Sequence, residues 1–126
     1  MRDPDHLFVY GTLLPGEVRW RFLAPYVTGP GPIDTVPGRL YDTRYGYPAA
    51  VFTGTARIRG RVYRLRDDNR ERALAHLDEV ESVEECEYRR VIVTTGSGVR
   101  AWAYEFLDRI DPRFRLLPGG NWLTRR

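Results

Sequence analysis

The 126-residue chain contains no lysine; all twenty of its basic residues are arginine. Schiff-base chemistry, which needs a lysine amine, is therefore excluded. So is a nucleotide phosphate loop, because Gly11-Thr12-Leu13-Leu14-Pro15-Gly16 lacks the lysine that such loops use. A single cysteine, Cys86, rules out an intramolecular disulfide and fits a reducing compartment. The carboxylates of Glu84, Glu85 and Glu87 disfavour a thiolate beside them, so Cys86 is expected to be a poor nucleophile. The two histidines, His6 and His76, stand at no metal-ligand spacing from each other or from Cys86, and no metal is expected. No apolar run approaches the roughly 20 residues of a membrane helix. The opening residues, Met1 to His6, carry no apolar signal segment. A cytoplasmic location without membrane contact is the expectation.

What remains is an ordinary globular composition, 42% hydrophobic and 29% charged. The length suits one domain over residues 1–126, large enough to bury a core. The net charge of +3 invites a nucleic-acid reading, but the arginines are scattered among seventeen acids with no dense basic block. Nucleic acid is not an expected partner. Arg57, Arg59 and Arg61 alternate on one face of a strand, which suits a solvated face. An RNA-binding β-barrel using that face is a minor alternative. The arginine-only bias is itself what codon usage in a GC-rich, bacterial genome produces.

The most informative stretch is Leu7-Phe8-Val9-Tyr10-Gly11-Thr12-Leu13-Leu14. An apolar strand runs into a glycine and a hydroxyl residue at its end. Glycine lets the backbone approach a ligand closely. Successive N–H groups in such a turn form a nest for a carboxylate or phosphate. The same pattern also suits a bent strand end with no ligand. Further on, Leu77-Asp78-Glu79-Val80-Glu81 closes a helical stripe. Helix-end carbonyls disfavour a carboxylate, and Leu77, Val80, Tyr10 and Tyr88 would add desolvation. Both effects raise a glutamate pKa and suit it to general acid-base work. Taken locally, Glu81 fits better as one more surface acid beside Glu79, Glu84 and Glu85. Asp78 is expected to support the loop by hydrogen bonding, and Trp102 and Tyr104 to pack in the core or a pocket wall.

The periodicities predict strands at about 6–13, Val36 to Thr43, Ala49 to Thr53 and Ala56 to Leu65, the last with a bulge or tight bend at Gly60. Glu17 to Leu23 suits a short helix, and Gly29-Pro30-Gly31-Pro32 breaks regular structure. A longer helix begins at Asp68, with Glu71 completing a capping box and Ala73, Leu74, Leu77 and Val80 forming one apolar stripe. Strands at about 87–95 and 99–106 are joined by the Thr95-Gly96-Ser97-Gly98 turn. The tail after Asp111-Pro112 reads as irregular until Trp122. These elements argue an α+β domain with a curled, mainly antiparallel sheet.

Tyr10-Gly11-Thr12-Leu13, the Leu77-Asp78-x-x-Glu81 motif and Tyr88-Arg89-Arg90 together resemble the gamma-glutamylcyclotransferase-like family, in its gamma-glutamylamine cyclotransferase, avirulence-induced-gene-like branch. The likeness continues through Gly38-Arg39-Leu40-Tyr41, Tyr47-Pro48-Ala49, Gly60-Arg61-Val62-Tyr63, Trp102-Ala103-Tyr104 and Gly119-Gly120-Asn121-Trp122. These pieces stand in the family's order over nearly the whole chain. One departure falls inside the motif, where Ser82 replaces the usual glycine; the expectation is a family-like backbone with mild strain.

The resemblance implies a small mixed, mainly antiparallel β-barrel flanked by helices. It implies a gamma-glutamyl cyclotransferase that releases 5-oxoproline and a free amine from a small gamma-glutamyl amine or amino acid by intramolecular aminolysis. Glu81 would be the general acid and base, and Tyr10, Gly11, Thr12, Leu13 and Tyr88 would bind substrate. No cofactor or metal is implied, and a monomer or weak homodimer is expected. The alternative is a non-catalytic domain of the same fold that binds a small acidic ligand or a protein partner.

Overall fold

The computed structural model describes residues 3–81 and 87–125. The chain runs through β1 (His6–Val9), α1 (Trp20–Leu23), β2 (Val27–Thr28), β3 (Ile33–Pro37), β4 (Arg39–Asp42) and β5 (Pro48–Val51). It continues through β6 (Arg57–Leu65), α2 (Arg70–Val80), β7 (Tyr88–Thr94), β8 (Arg100–Phe106) and β9 (Arg115–Leu116). Leu7, Phe8 and Val9 are all buried, so β1 must be covered on both faces, and the topology provides this. β1 lies between β6, to which it is antiparallel, and β8, to which it is parallel. β7 extends the sheet beyond β8, while β2 and β3 pair with β6 on its outer side. A second sheet has the order β5-β4-β9.

Alternation along the strands separates two apolar clusters. Leu7, Val9, Tyr63, Leu65 and Tyr104 pack with Leu23 of α1 and with Leu74 and Leu77 of α2. Phe8, Tyr10, Ile58, Val62, Ala101 and Ala103 pack with Leu40, Ala50 and Trp122. The central sheet is thus covered by helices on one side and by the second sheet and tail on the other. The two alanines of β8 leave room for β5 to pack across it. The mixed, mainly antiparallel α+β class stands, with one parallel pair. No ladder closes the described strands, so "barrel" describes the curled sheet loosely.

Several elements differ from their sequence-based boundaries. The first strand stops at Val9, and Tyr10 to Leu13 form a loop. The Glu17–Leu23 segment is helical only from Trp20, and a 3-10 turn over Ala24–Tyr26 follows it. The Val36–Thr43 segment splits at Gly38, whose φ of 153° and contact with the Val51 carbonyl exclude a side chain. Asp68 lies inside a 3-10 turn, Asp67–Asn69, instead of capping α2. The tail contributes β9, paired with β4, and the Gly120 carbonyl accepts a 2.7 Å hydrogen bond from the Arg59 N–H.

Gly60 is not bulged against β3, because the register runs unbroken through Asp34↔Gly60. A Cβ there would stand 2.1 Å from the Val9 carbonyl oxygen. The close approach of two backbones, not a bulge, therefore requires the glycine. Gly60→Ala should cost about 3 kcal/mol of folding stability in urea titration. Gly54→Ala, at a turn with open space around it, should cost only about 1 kcal/mol.

Candidate active site

Past Val9 the chain leaves its ladder but stays buried through Leu14. The Tyr10 hydroxyl donates to the Tyr104 carbonyl at 2.6 Å. The Gly11 carbonyl accepts from the Leu14 N–H at 2.9 Å, and the Thr12 carbonyl from the Arg19 N–H at 2.8 Å. Among the described residues, the N–H groups of Gly11, Thr12 and Leu13 make no hydrogen bond. Buried backbone donors normally find partners, so this loop presents a row of unused donors. A Cβ on Gly11 would meet the Pro48 ring at 2.5 Å, so only glycine lets the loop lie against β5.

Glu81 sits one residue beyond α2, its N–H still donating to the Leu77 carbonyl at 2.9 Å. Its side chain is buried, and burial pushes its pKa up to about 7. The Arg19 guanidinium pulls the other way from 3.5 Å, and the Glu87 carboxylate adds a further upward push. Burial also drives the phenols of Tyr10, Tyr88 and Tyr104 upward, with the charge of Glu81 contributing to each. These three tyrosines therefore stay protonated at physiological pH. The Tyr88 hydroxyl donates to the Pro48 carbonyl.

Glu81 and the loop, far apart in the chain, line one small pocket. Every sequence-predicted site residue lines it: Tyr10, Gly11, Thr12, Leu13, Glu81 and Tyr88. Two residues at the site were not singled out from the sequence: Pro48, and Arg19, one arginine among twenty with no local pattern around it. Tyr104 occupies a pocket wall, one of its two expected positions. Asp78 does form hydrogen bonds, but to the Tyr104 hydroxyl at 2.7 Å and the Arg90 Nε at 2.9 Å, not to the loop. Trp102 lies under the Arg90 guanidinium, 4.2 Å from its ring centre. Ser82 and Cys86 lie outside the described residues.

Neither histidine lines the pocket. His6 lies 2.7 Å from Asp5, and His76 shares a 3.1 Å hydrogen bond with the Tyr26 hydroxyl. Among the described residues no cluster of His, Cys, Asp and Glu could hold a metal ion, and no helix is long and apolar enough to cross a membrane. Arg57 and Arg59 are exposed on β6, while Arg61 donates to the Gly31 carbonyl at 2.7 Å.

The chain is similar to several solved structures. An uncharacterized protein of Pyrococcus horikoshii shares 25% identity at a TM-score of 0.70, over 93% of this chain and 88% of that one. YkqA of Bacillus subtilis shares 24% at 0.71, over 95% of this chain but 40% of its own. An AIG2-like protein of Mus musculus shares 18% at 0.60, over 98% and 84%. No curated protein sequence matches the chain. The family model for AIG2-like gamma-glutamyl cyclotransferases matches residues 7–124. With that match spanning nearly the whole chain and a fold shared with these structures, the protein belongs to the AIG2-like gamma-glutamyl cyclotransferase family.

Proposed function

We propose that the protein is a gamma-glutamyl cyclotransferase with Glu81 as its general acid and base. One observation carries the proposal: a buried carboxyl group with a pKa near 7 shares a pocket with the unused N–H groups of Gly11 to Leu13. The loop donors would hold the substrate's α-carboxylate and stabilise the oxyanion that develops on the γ-carbonyl. Tyr10 and Tyr88 would wall the glutamyl group. The ionised Glu81 takes a proton from the substrate's α-ammonium. The freed amine attacks the γ-carbonyl, a C–N bond forms, and the ring closes to a tetrahedral intermediate. Glu81 returns its proton to the departing amine as the original amide C–N bond breaks, then takes the surplus proton of the ring nitrogen, which passes on to the released amine. The products are 5-oxoproline and a free amine. The nucleophile belongs to the substrate, so no serine or cysteine nucleophile is required. Attack within one bound molecule also avoids the entropy of bringing two together.

A glutamate with a pKa near 7 is divided between its two forms at neutral pH, which suits a group that both accepts and returns a proton. Incubation with a panel of gamma-glutamyl amines and amino acids, read by mass spectrometry, should show 5-oxoproline release from at least one member. No release across the panel, with acidic ligands still bound, would point to a non-catalytic domain.

Glu81→Gln preserves size but takes no proton, so turnover should fall by about 10² or more. Its stability should also change with a defined sign. The folded pKa lies above the ordinary 4.5, so the stabilisation from protonating Glu81 is full below about pH 4.5 and is lost as pH rises through about 7. The glutamine variant lacks this loss. In urea titrations it should match wild type near pH 4.5 and exceed it at pH 8 by on the order of 3 kcal/mol. Gly11→Ala forces the loop off Pro48. It should lower kcat/KM by about ten-fold or more, since a small misplacement at the reacting centre is costly.

A further inference from the structure

Arg19 touches both halves of the site. Its backbone N–H donates to the Thr12 carbonyl at 2.8 Å, and its guanidinium lies 3.5 Å from Glu81 Oε2. Its place is fixed independently of Glu81. Two residues earlier, the Glu17 N–H donates to the Leu14 carbonyl at 3.0 Å. The Glu17 carboxylate in turn accepts from the Trp122 indole at 2.8 Å and pairs with Arg125 at 3.5 Å. The segment carrying Arg19 is thus held on the loop and against the tail.

The pair is asymmetric. The Arg19 side chain is 34% exposed and that of Glu81 only 8%. One partner keeps contact with water while the other does not, so the guanidinium brings charge to a desolvated carboxylate without being buried itself. At 3.5 Å the contact is longer than a tight charge-assisted hydrogen bond, which leaves the carboxylate oxygens available to a proton. The other groups facing Glu81 do not supply this. Tyr10 from the loop, Tyr88 from β7 and Tyr104 from β8 are neutral phenols, and Glu87 before β7 is an acid. A guanidinium also cannot lose its proton to Glu81 under physiological conditions.

We propose that Arg19 is a positioning residue of this site: its guanidinium keeps the Glu81 carboxylate charged, while its backbone N–H fixes the loop that faces it. The proposal rests on the cyclotransferase reading for its kinetic consequence and on the Arg19–Glu81 contact alone for its electrostatic one. Removing the cation leaves burial unopposed, so Glu81 holds its proton to higher pH and less of the base form is present at neutral pH.

The test is the pH dependence of kcat/KM for wild type, Arg19→Gln and Arg19→Lys. In Arg19→Gln the acid limb should move upward, so that kcat/KM at about pH 6.5 falls about ten-fold while the value near pH 9 stays within about two-fold of wild type. Arg19→Lys keeps the charge and should keep the limb. An equal loss at every pH would mean a structural role and overturn the proposal. So would a pH-independent rise in KM with kcat intact, which is the mark of a substrate-binding arginine. If wild type turns over no gamma-glutamyl substrate, the cyclotransferase reading fails, and carboxyl-carbon NMR of Glu81 still decides the proposal. A midpoint higher in Arg19→Gln than in wild type supports it, and equal midpoints overturn it. If Arg19→Gln does not fold, wild type titrated at low and high salt replaces it. Arg19 keeps contact with water, so salt screens its charge; the midpoint should rise with salt, and a fixed midpoint would overturn the proposal.

Discussion

Where β1 stops pairing after Val9, the chain remains inside the protein, and the site follows from that constraint. Buried backbone groups must be satisfied or left costly. Here the two kinds are treated differently. The carbonyls of Gly11 and Thr12 accept from Leu14 and Arg19, while the N–H groups of Gly11, Thr12 and Leu13 are left open among the described residues. An enclosed loop with satisfied acceptors and unused donors has a positive local field, as a nest for an anion does. The Tyr10 ring packs with Phe8, 6.3 Å between ring centres. The loop is thereby tied to the second core cluster while its backbone faces the pocket.

Three acids near this end of the sheet show why Glu81 differs from its neighbours. Glu105 accepts from the Phe52 N–H at 2.9 Å and from two nitrogens of Arg89, at 3.1 and 2.8 Å. Asp78 accepts from Tyr104 and is held by two nitrogens of Arg90. Both carboxylates are saturated with partners and serve the packing of β7 against its neighbours. Glu81 is buried and, among the described residues, has one long contact, to a half-exposed arginine. Burial wins over that contact, because the guanidinium's charge is partly screened by water while the carboxylate's desolvation is not. A carboxyl group in this position adds little to stability as an anion. On the proposed reading, that burial is what suits it to acid–base work.

Much of this was legible in the sequence, for identifiable reasons. The apolar run of β1, the Ala73–Leu77 stripe and the Thr95–Gly98 hairpin are local patterns, and local patterns survive folding. The conjunction of Gly11 with Glu81 became visible through the family resemblance, since nothing near Glu81 separates it from the acids around it. Arg19 was not legible because its role comes from a turn geometry that only the folded segment defines. The second sheet was hidden for a related reason. β4, β5 and β9 are short, and β9 pairs with β4 across a long intervening chain. The Asp68 capping pattern failed because a 3-10 turn inserts ahead of α2 and moves the true start of the helix.

The placement of β1 at the centre of the large sheet bears on how the protein reaches its native state. Its ladder partners are remote: Leu7 pairs with Tyr63 on one side and lies opposite Trp102 on the other. The strand that carries the site loop therefore has no neighbour until β6 is present, and gains its second only with β8. Closing such long loops costs entropy before any packing compensates, which places this topology among the slower-folding kind. Until then Leu7, Phe8 and Val9 form an apolar segment with unsatisfied edges on both sides. The same centrality that buries this strand also leaves it open to mispairing during synthesis.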